Sequence, residues 1–281
     1  MNIKTPHPKK RLGQHFLIDK SVVRRIVAAA GIAPDELVVE IGPGTGALTE
    51  GLLEAGTRVI AIETDAGLAA HLKAKFVNAV STGRLEIIAA DALKVSFIDI
   101  CKAAGTKAKA VSNLPYNISG PIMTRLINER SAFSLMVLML QKEVAERLVA
   151  KPGSKAYGIL SILSQLHADI NMEFNLPPSV FFPQPKVESS VVRLVPLAAP
   201  RVPVPDEAFF RKVVVSSFST RRKTLPNSLK PLGIAPAGVK AAIVGCNIDP
   251  GRRGETLSLE EWGKLASALK AVEGANRASL N

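Results

Sequence analysis

Five short apolar runs separated by helical patterns dominate the first half of this chain, and that alternation restricts it to very few folds. The runs fall at 36–42, 58–63, 85–91, 108–113 and 135–141, with helical periodicity at 46–55, 65–76, 97–104 and 120–130 between them. Consecutive parallel strands need a crossover of a dozen or more residues, usually a helix, so the spacing predicts a mostly parallel sheet. Continuous Val, Ile and Leu within the runs marks strands covered on both faces by helices. One helix precedes the series, over 19–30, with Asp19 as its N-cap and Gly31 as its stop.

The carboxyl ends of the first four runs carry the chemistry. The first leads into Gly42-Pro43-Gly44-Thr45-Gly46, which is not the Gly-x-Gly-x-x-Gly spacing of a dinucleotide-binding turn. Glycines there let the backbone approach a ligand closely. The second run ends in Glu63, about 20 residues on, where a carboxylate can accept from ribose hydroxyls. The third ends in Asp91, placed to meet an adenine amino group, and the fourth in Asn113. Singly, the acids read equally well as helix caps and the glycines as a turn. Their shared place at strand ends, where open α/β sheets bind ligands, is what those readings leave unexplained.

Asn113-Leu114-Pro115-Tyr116 suits the exocyclic amine of a flipped adenine. Such an amine is a poor nucleophile because its lone pair is delocalised into the ring. Two neutral acceptors, the Asn113 side-chain oxygen and the Leu114 carbonyl, would take its hydrogens and localise that pair. Pro115 disfavours the helical region at Leu114 and so holds its carbonyl in an extended turn. Tyr116 offers a face for the base. Phe181 and Phe182, in a proline-braced loop, are candidates for the other face and equally for loop anchors. Ser119 and Gly120 are small enough to leave room for a methylated amine.

Taken together these motifs resemble the bacterial small-subunit (16S) ribosomal RNA adenine dimethyltransferase family, the KsgA or RsmA type. The likeness extends to Leu12-Gly13-Gln14-His15-Phe16-Leu17, with His15 where many members have Asn, and to Leu140-Gln141-Lys142-Glu143-Val144 and Lys155-Ala156-Tyr157-Gly158. It continues through Pro177–Val187, with Phe182 where relatives carry a smaller or polar residue, and Phe218–Leu229. The resemblance implies a Rossmann-like class I S-adenosylmethionine-dependent methyltransferase domain and a small C-terminal helical domain. It implies dimethylation of N6 on two adjacent adenosines near the 3′ end of 16S rRNA, in late small-subunit biogenesis, with S-adenosylhomocysteine as product and no metal. Cofactor contacts are then expected from His15, Leu17, Gly42, Gly44, Gly46, Glu63, Asp91, Ala92 and Asn113. Catalysis is expected from Asn113, Leu114, Pro115 and Tyr116, with Tyr116 and Phe181 stacking on the base. The alternatives are a large-subunit rRNA adenine methyltransferase of the antibiotic-resistance type and a non-catalytic nucleic-acid-binding relative. The Arg221–Leu229 segment and Leu114 favour the small-subunit branch.

Charge points the same way. The chain carries 36 Lys and Arg against 24 Asp and Glu, a formal +12, which suits a polyanionic partner and, on charge alone, about equally a solvated basic face; the placement of the charge says more. The basic clusters lie toward both ends, and Lys9, Lys10 and Arg11 with Arg221, Arg222 and Lys223 are expected to meet rRNA phosphates. Two cysteines without a pairing pattern and no zinc spacing among four histidines fit a reducing compartment. No secretory signal and no apolar run long enough for a membrane are present, so a soluble cytoplasmic monomer is expected.

The second half reads as helices over 142–150 and 156–169, a strand over 187–195, and a proline-rich linker at 196–205. Helices follow at 206–218, 235–244 and 258–272, the last opening with a Ser258–Glu261 capping box. Trp262, Leu265 and Leu269 share one face and read as core. The expected division is a catalytic domain over 1–198 and a small helical, RNA-binding domain over 199–281.

Overall fold

The computed structural model of the protein describes residues 8–9 and 13–278, the side chains of 276–278 excepted. In chain order the strands are β1 (Phe16–Leu17), β2 (Leu37–Ile41), β3 (Arg58–Glu63), β4 (Leu85–Ala89), β5 (Ala108–Asn113), β6 (Phe133–Gln141), β7 (Ala168–Leu176), β8 (Phe181–Phe182) and β9 (Ser189–Pro196). The helices are α1 (Lys20–Ala30), α2 (Ala47–Glu54), α3 (Ala66–Lys75), α4 (Val77–Ser81), α5 (Phe97–Ala103), α6 (Ser119–Asn128), α7 (Lys142–Leu148), α8 (Ile159–His167), α9 (Glu207–Ser219), α10 (Leu225–Ser228), α11 (Pro236–Gly245) and α12 (Leu259–Ala278).

Seven strands form one sheet in the order β4-β3-β2-β5-β6-β9-β7, and β1 pairs with β8 in a separate two-stranded ribbon. The five expected strands pair in parallel from β4 to β6, and β9 closes antiparallel on β6 with Met139 opposite Val191 and Gln141 opposite Ser189. This is the Rossmann-like doubly wound arrangement, with the strand order reversing between β2 and β5. β2 is buried along its whole length, and the apolar residues of β6 from Leu135 to Leu140 are buried as well, as strands covered on both faces require. Local signals set the edges of α1: the Asp19 carboxylate accepts from the backbone N–H groups of Ser21 and Val22, and Gly31 ends the helix in the left-handed region.

The chain divides into two compact units, Met1–Ala145 with Asp169–Pro196, and Glu146–Ala168 with Leu197–Asn281. The third crossing, at 196/197, lies near the expected boundary at 198/199, but the second unit also takes up 146–168, which the expected division left in the catalytic domain. The cause is apolar: Tyr157, Ile162 and Leu166 are buried in one cluster with Phe210, Trp262 and Leu265. The Ser258–Glu261 box forms at the start of α12, with the Ser258 N–H on Glu261 Oε2 at 2.7 Å and the Glu261 N–H on Ser258 Oγ at 3.2 Å. Among the described residues no helix is long and apolar enough to cross a membrane.

Three strands escape the sequence reading, as do the short helices α4 and α10. β7 alternates half-buried Ile170, Met172 and Phe174 with exposed Asn171, Glu173 and Asn175 along a sheet edge. Its polar residues have low strand propensity and it follows α8 without a break. β1 and β8 are two residues each, and no periodicity can announce so short a strand.

Candidate cofactor and base site

The β2–β5 ladder runs only through Val38–Lys109 and Val39–Ala110. Beyond it the Ile41 N–H donates to the Ser112 hydroxyl at 2.8 Å instead of to a backbone carbonyl. The ladder therefore ends early at the carboxyl ends of these strands, the reversal point where open sheets hold ligands. Gly42, Gly44 and Gly46 all take positive φ in the turn that follows β2. At Gly44 the exclusion of a side chain is double, because a Cβ there would also lie 2.9 Å from the Phe16 ring. Lys75 fastens the turn from outside, donating to the Thr45 carbonyl at 3.3 Å and pairing with Glu50 at 3.0 Å.

A cavity at this place is lined by His15 and Leu17 from the N-terminal arm, and by Glu40, Gly42 and Gly44 around the glycine turn. Glu63 lines it from the end of β3, Asp91 and Ala92 from beyond β4, and Asn113, Leu114, Pro115 and Tyr116 from the end of β5. Gly46 does not line it. Its missing side chain instead makes room for Leu72 and Phe76, 2.7 and 2.6 Å from where a Cβ would stand, so its role is packing within the turn.

The lining is acidic. Glu63 is buried, with one carboxylate oxygen accepting from the Gly44 N–H at 3.2 Å and the other from the Asp65 N–H at 2.9 Å. Burial pushes its carboxyl above the ordinary range. Glu40 is 1% exposed and accepts from the Thr49 hydroxyl at 2.6 Å. Burial, aided by the neighbouring Glu63 charge, pushes Glu40 up to about 8 despite that hydrogen bond. Asp91 spends one oxygen on the Leu93 N–H at 2.9 Å. Among the described residues no Lys or Arg lines the cavity, although the chain as a whole carries +12. With Glu40 kept protonated by burial, the acids left to meet a cationic ligand are Glu63 and Asp91, and a hollow without Lys or Arg opposes a pyrophosphate. Glu40 was not singled out in the sequence, yet an acid inside the run Leu37-Val38-Val39-Glu40-Ile41 is the signal that would have found it.

Asn113, His15 and Tyr116 form a connected group. The Asn113 amide nitrogen donates to the His15 backbone carbonyl at 3.1 Å. A carbonyl can only accept, so the amide is oriented and Oδ1 is left as an acceptor. His15 Nδ1 lies 2.7 Å from the Pro183 carbonyl and by the same logic carries the proton. The His15 and Tyr116 rings stand 5.2 Å apart at a 34° tilt. The Tyr116 hydroxyl meets the buried Ser189 hydroxyl at 2.5 Å, and burial pushes the phenol up. Leu114 is buried and its N–H donates to the Met139 carbonyl at 3.1 Å, fixing the motif to β6.

Other expected site residues fall elsewhere. Phe181 is 1% exposed and packs in the core of the first unit, which withdraws it from base stacking; alternation along β8 turns Phe182 outward, 60% exposed. Ser119 spends its hydroxyl on the Pro115 and Tyr116 carbonyls at 3.1 and 3.2 Å, and neither it nor Gly120 lines the cavity. Lys9 pairs with buried Asp65 at 2.7 Å, while Lys10 and Arg11 lie outside the described residues. Arg221 is committed within the second unit, to Glu255 at 2.9 Å and the Tyr157 carbonyl at 3.3 Å. Arg222 and Lys223 in the same turn are exposed. Among the described residues no group of three or more His, Cys, Asp or Glu is arranged to hold a metal ion.

A Rossmann-like sheet with this strand-end cavity defines a nucleoside-cofactor enzyme class. Residues 6–270 match the family model described as Ribosomal RNA adenine dimethylase. The chain is 48% identical over 269 residues to Ribosomal RNA small subunit methyltransferase A of Geobacter sulfurreducens, covering 95% of this chain and 96% of the relative. Against the protein of that name from Geobacter metallireducens the identity is 45%, covering 95% and 97%. A solved dimethyladenosine transferase from Plasmodium falciparum superposes with a TM-score of 0.71 at 28% identity, covering 92% of this chain and 98% of that one. The chain belongs to the ribosomal RNA adenine dimethylase family.

Proposed function

We propose that the protein methylates N6 of two adjacent adenosines near the 3′ end of small-subunit rRNA to N6,N6-dimethyladenosine, using S-adenosylmethionine. The reading rests on the family, on the small-subunit name of the relatives, and on one observation above the rest. That observation is an Asn113 amide whose donor side is tied to His15, beside a cavity of acidic character.

S-adenosylmethionine supplies, when bound, a methyl carbon on a sulfonium, an electrophile that needs little activation. The cavity's chemistry fits it, since both the sulfonium and the amino group are cationic and the lining offers Glu63 and Asp91 without a basic residue among those described. Glu63 would hold the ribose, Asp91 and Ala92 the adenine, and the glycine turn the amino-acid end, near His15 and Leu17.

On the substrate side Asn113 Oδ1 and the Leu114 carbonyl accept the two N6 hydrogens. The nitrogen lone pair is thereby turned out of conjugation toward the incoming carbon. Pro115 and the Leu114–Met139 hydrogen bond keep that carbonyl in place. Tyr116 takes the base on the ring face not turned to His15, its hydroxyl held by Ser189 so that the ring cannot swing. The rest of the rate comes from alignment. The proton is acidic once N6 is alkylated and leaves to water. Exposed Arg222 and Lys223 are assigned to rRNA phosphates, with Arg221 bracing the turn that presents them.

The test is transfer of labelled methyl groups to small subunits lacking the modification, followed by mapping of the modified bases. Dimethylation of two adjacent adenosines near the 3′ end supports the reading. Label only in large-subunit rRNA, or none, overturns it.

A further inference from the structure

Lys9, expected at an rRNA phosphate, is paired within the protein instead. Its ammonium lies 2.7 Å from Asp65 Oδ2, with the Asp65 side chain 5% exposed against 48% for Lys9. A carboxylate so buried is costly without a counter-charge, and Lys9 is the first cause holding the Asp65 carboxyl below its ordinary range. Asp65 uses Oδ1 to cap α3 through the Gly67 N–H at 2.9 Å. Its own N–H donates to Glu63 Oε1 at 2.9 Å, so the position of Asp65 helps set that of Glu63. The Asp65 charge disfavours ionised Glu63, and the Lys9 ammonium offsets that charge.

The other end of Lys9 reaches the cavity wall. Its backbone N–H donates to Gln14 Oε1 at 2.7 Å, and Gln14 lines the cavity with its neighbour His15. One residue thus joins the N-terminal wall of the cavity to the acid at the end of β3. An RNA phosphate would have to compete for this ammonium with a buried carboxylate already at contact distance.

We propose that Lys9 is a positioning residue for S-adenosylmethionine, holding Gln14 and Glu63 in their ligand-binding arrangement through its ion pair with Asp65. The proposal rests on the reading of the cavity as the cofactor site. Loss of the pair loosens Gln14 and the ribose partner, so the cofactor leaves faster, while His15, fastened separately by Pro183 and the β1–β8 ribbon, keeps Asn113 oriented.

Calorimetry and stopped-flow release of S-adenosylhomocysteine from the full-length protein test this. Lys9→Met should weaken binding about two- to fivefold, mostly through release, as expected for an ion pair with one exposed partner. Lys9→Arg should restore most of the loss. Asp65→Asn keeps a good N-cap and should reproduce the loss, and the double variant should add nothing further. In turnover, the cofactor KM should rise while kcat at saturating cofactor stays, and the salt dependence of rRNA binding should not change. Wild-type affinity for S-adenosylhomocysteine in Lys9→Met, or a reduced salt slope for RNA in that variant, overturns the proposal and returns Lys9 to the phosphate contacts. Absence of binding by the unsubstituted protein overturns the cofactor reading itself, and this inference with it.

Discussion

The side-chain amide of Asn113 donates to the backbone carbonyl of His15 across 3.1 Å, two residues 98 positions apart in the chain. That one contact decides which end of the amide faces the substrate. Asn113→Ala should therefore lower methyl transfer by roughly 10²–10³, by analogy with loss of a single preorganised oxyanion-hole donor. Asn113→Asp should be similarly inactive, because a carboxylate cannot donate to the His15 carbonyl and is repelled by it. Single-turnover methylation of unmodified small subunits measures both, with S-adenosylhomocysteine affinity as the control. Turnover within threefold of wild type in either variant would make the contact purely structural.

Burial of Glu40 should leave its mark on stability against pH. Its carboxyl is raised from an ordinary 4.5 to about 8, so the folded protein keeps a proton that the unfolded chain has already lost. The stability linked to this proton is full below about pH 4.5, falls as pH rises, and is lost once pH passes about 8. Glu40→Gln can still accept from the Thr49 hydroxyl but does not titrate. The variant without cofactor should match wild type near pH 5 in thermal unfolding and exceed it increasingly toward pH 8. Parallel melting curves at both pH values would contradict the assignment.

The two adjacent phenylalanines should separate cleanly. Phe181→Ala empties a fully buried site and should cost about 3–5 kcal/mol of stability. Phe182→Ala removes an exposed ring and should leave the unfolding midpoint within experimental scatter. Denaturant titration reads both, and equal losses would mean that the β8 register is wrong.

Arg221 and its neighbours make a similar contrast in the second unit. Arg221→Ala breaks contacts to Glu255 and to the Lys155 and Tyr157 carbonyls, and should lower the unfolding temperature. Arg222→Ala with Lys223→Ala should leave stability alone. The double change should flatten the salt dependence of RNA binding by roughly 1.5 in slope, from two fewer phosphate contacts. An unaltered slope would mark both as solvated charges.

Most of the sheet was legible because its strands are buried on both faces and its crossovers are long, so hydrophobic runs and helical periods alternate without ambiguity. The acids and Asn113 were legible because the carboxyl ends of parallel strands fall on one side whatever the details of packing. What stayed hidden depends on partners distant in sequence. Nothing near Lys9 announces Asp65, and Phe181 and Phe182 cannot be told apart without knowing that residue 181 faces the core. Glu40 stayed hidden for the opposite reason, since a single acid in an apolar run is easily passed over.

The ribbon of β1 and β8 also carries a consequence for biosynthesis. His15 and Pro183, which meet beside it, are 168 positions apart. At about 5–20 residues per second, the arm waits roughly ten to thirty seconds after its own synthesis for Pro183 to be made. By the end of that interval the nascent chain holds the glycine turn, Glu63 and Asp91 but lacks the seam that fastens the arm. The seam beside the strand-end cavity is in this sense a late event in the life of each chain, reserved for one whose first unit is nearly complete.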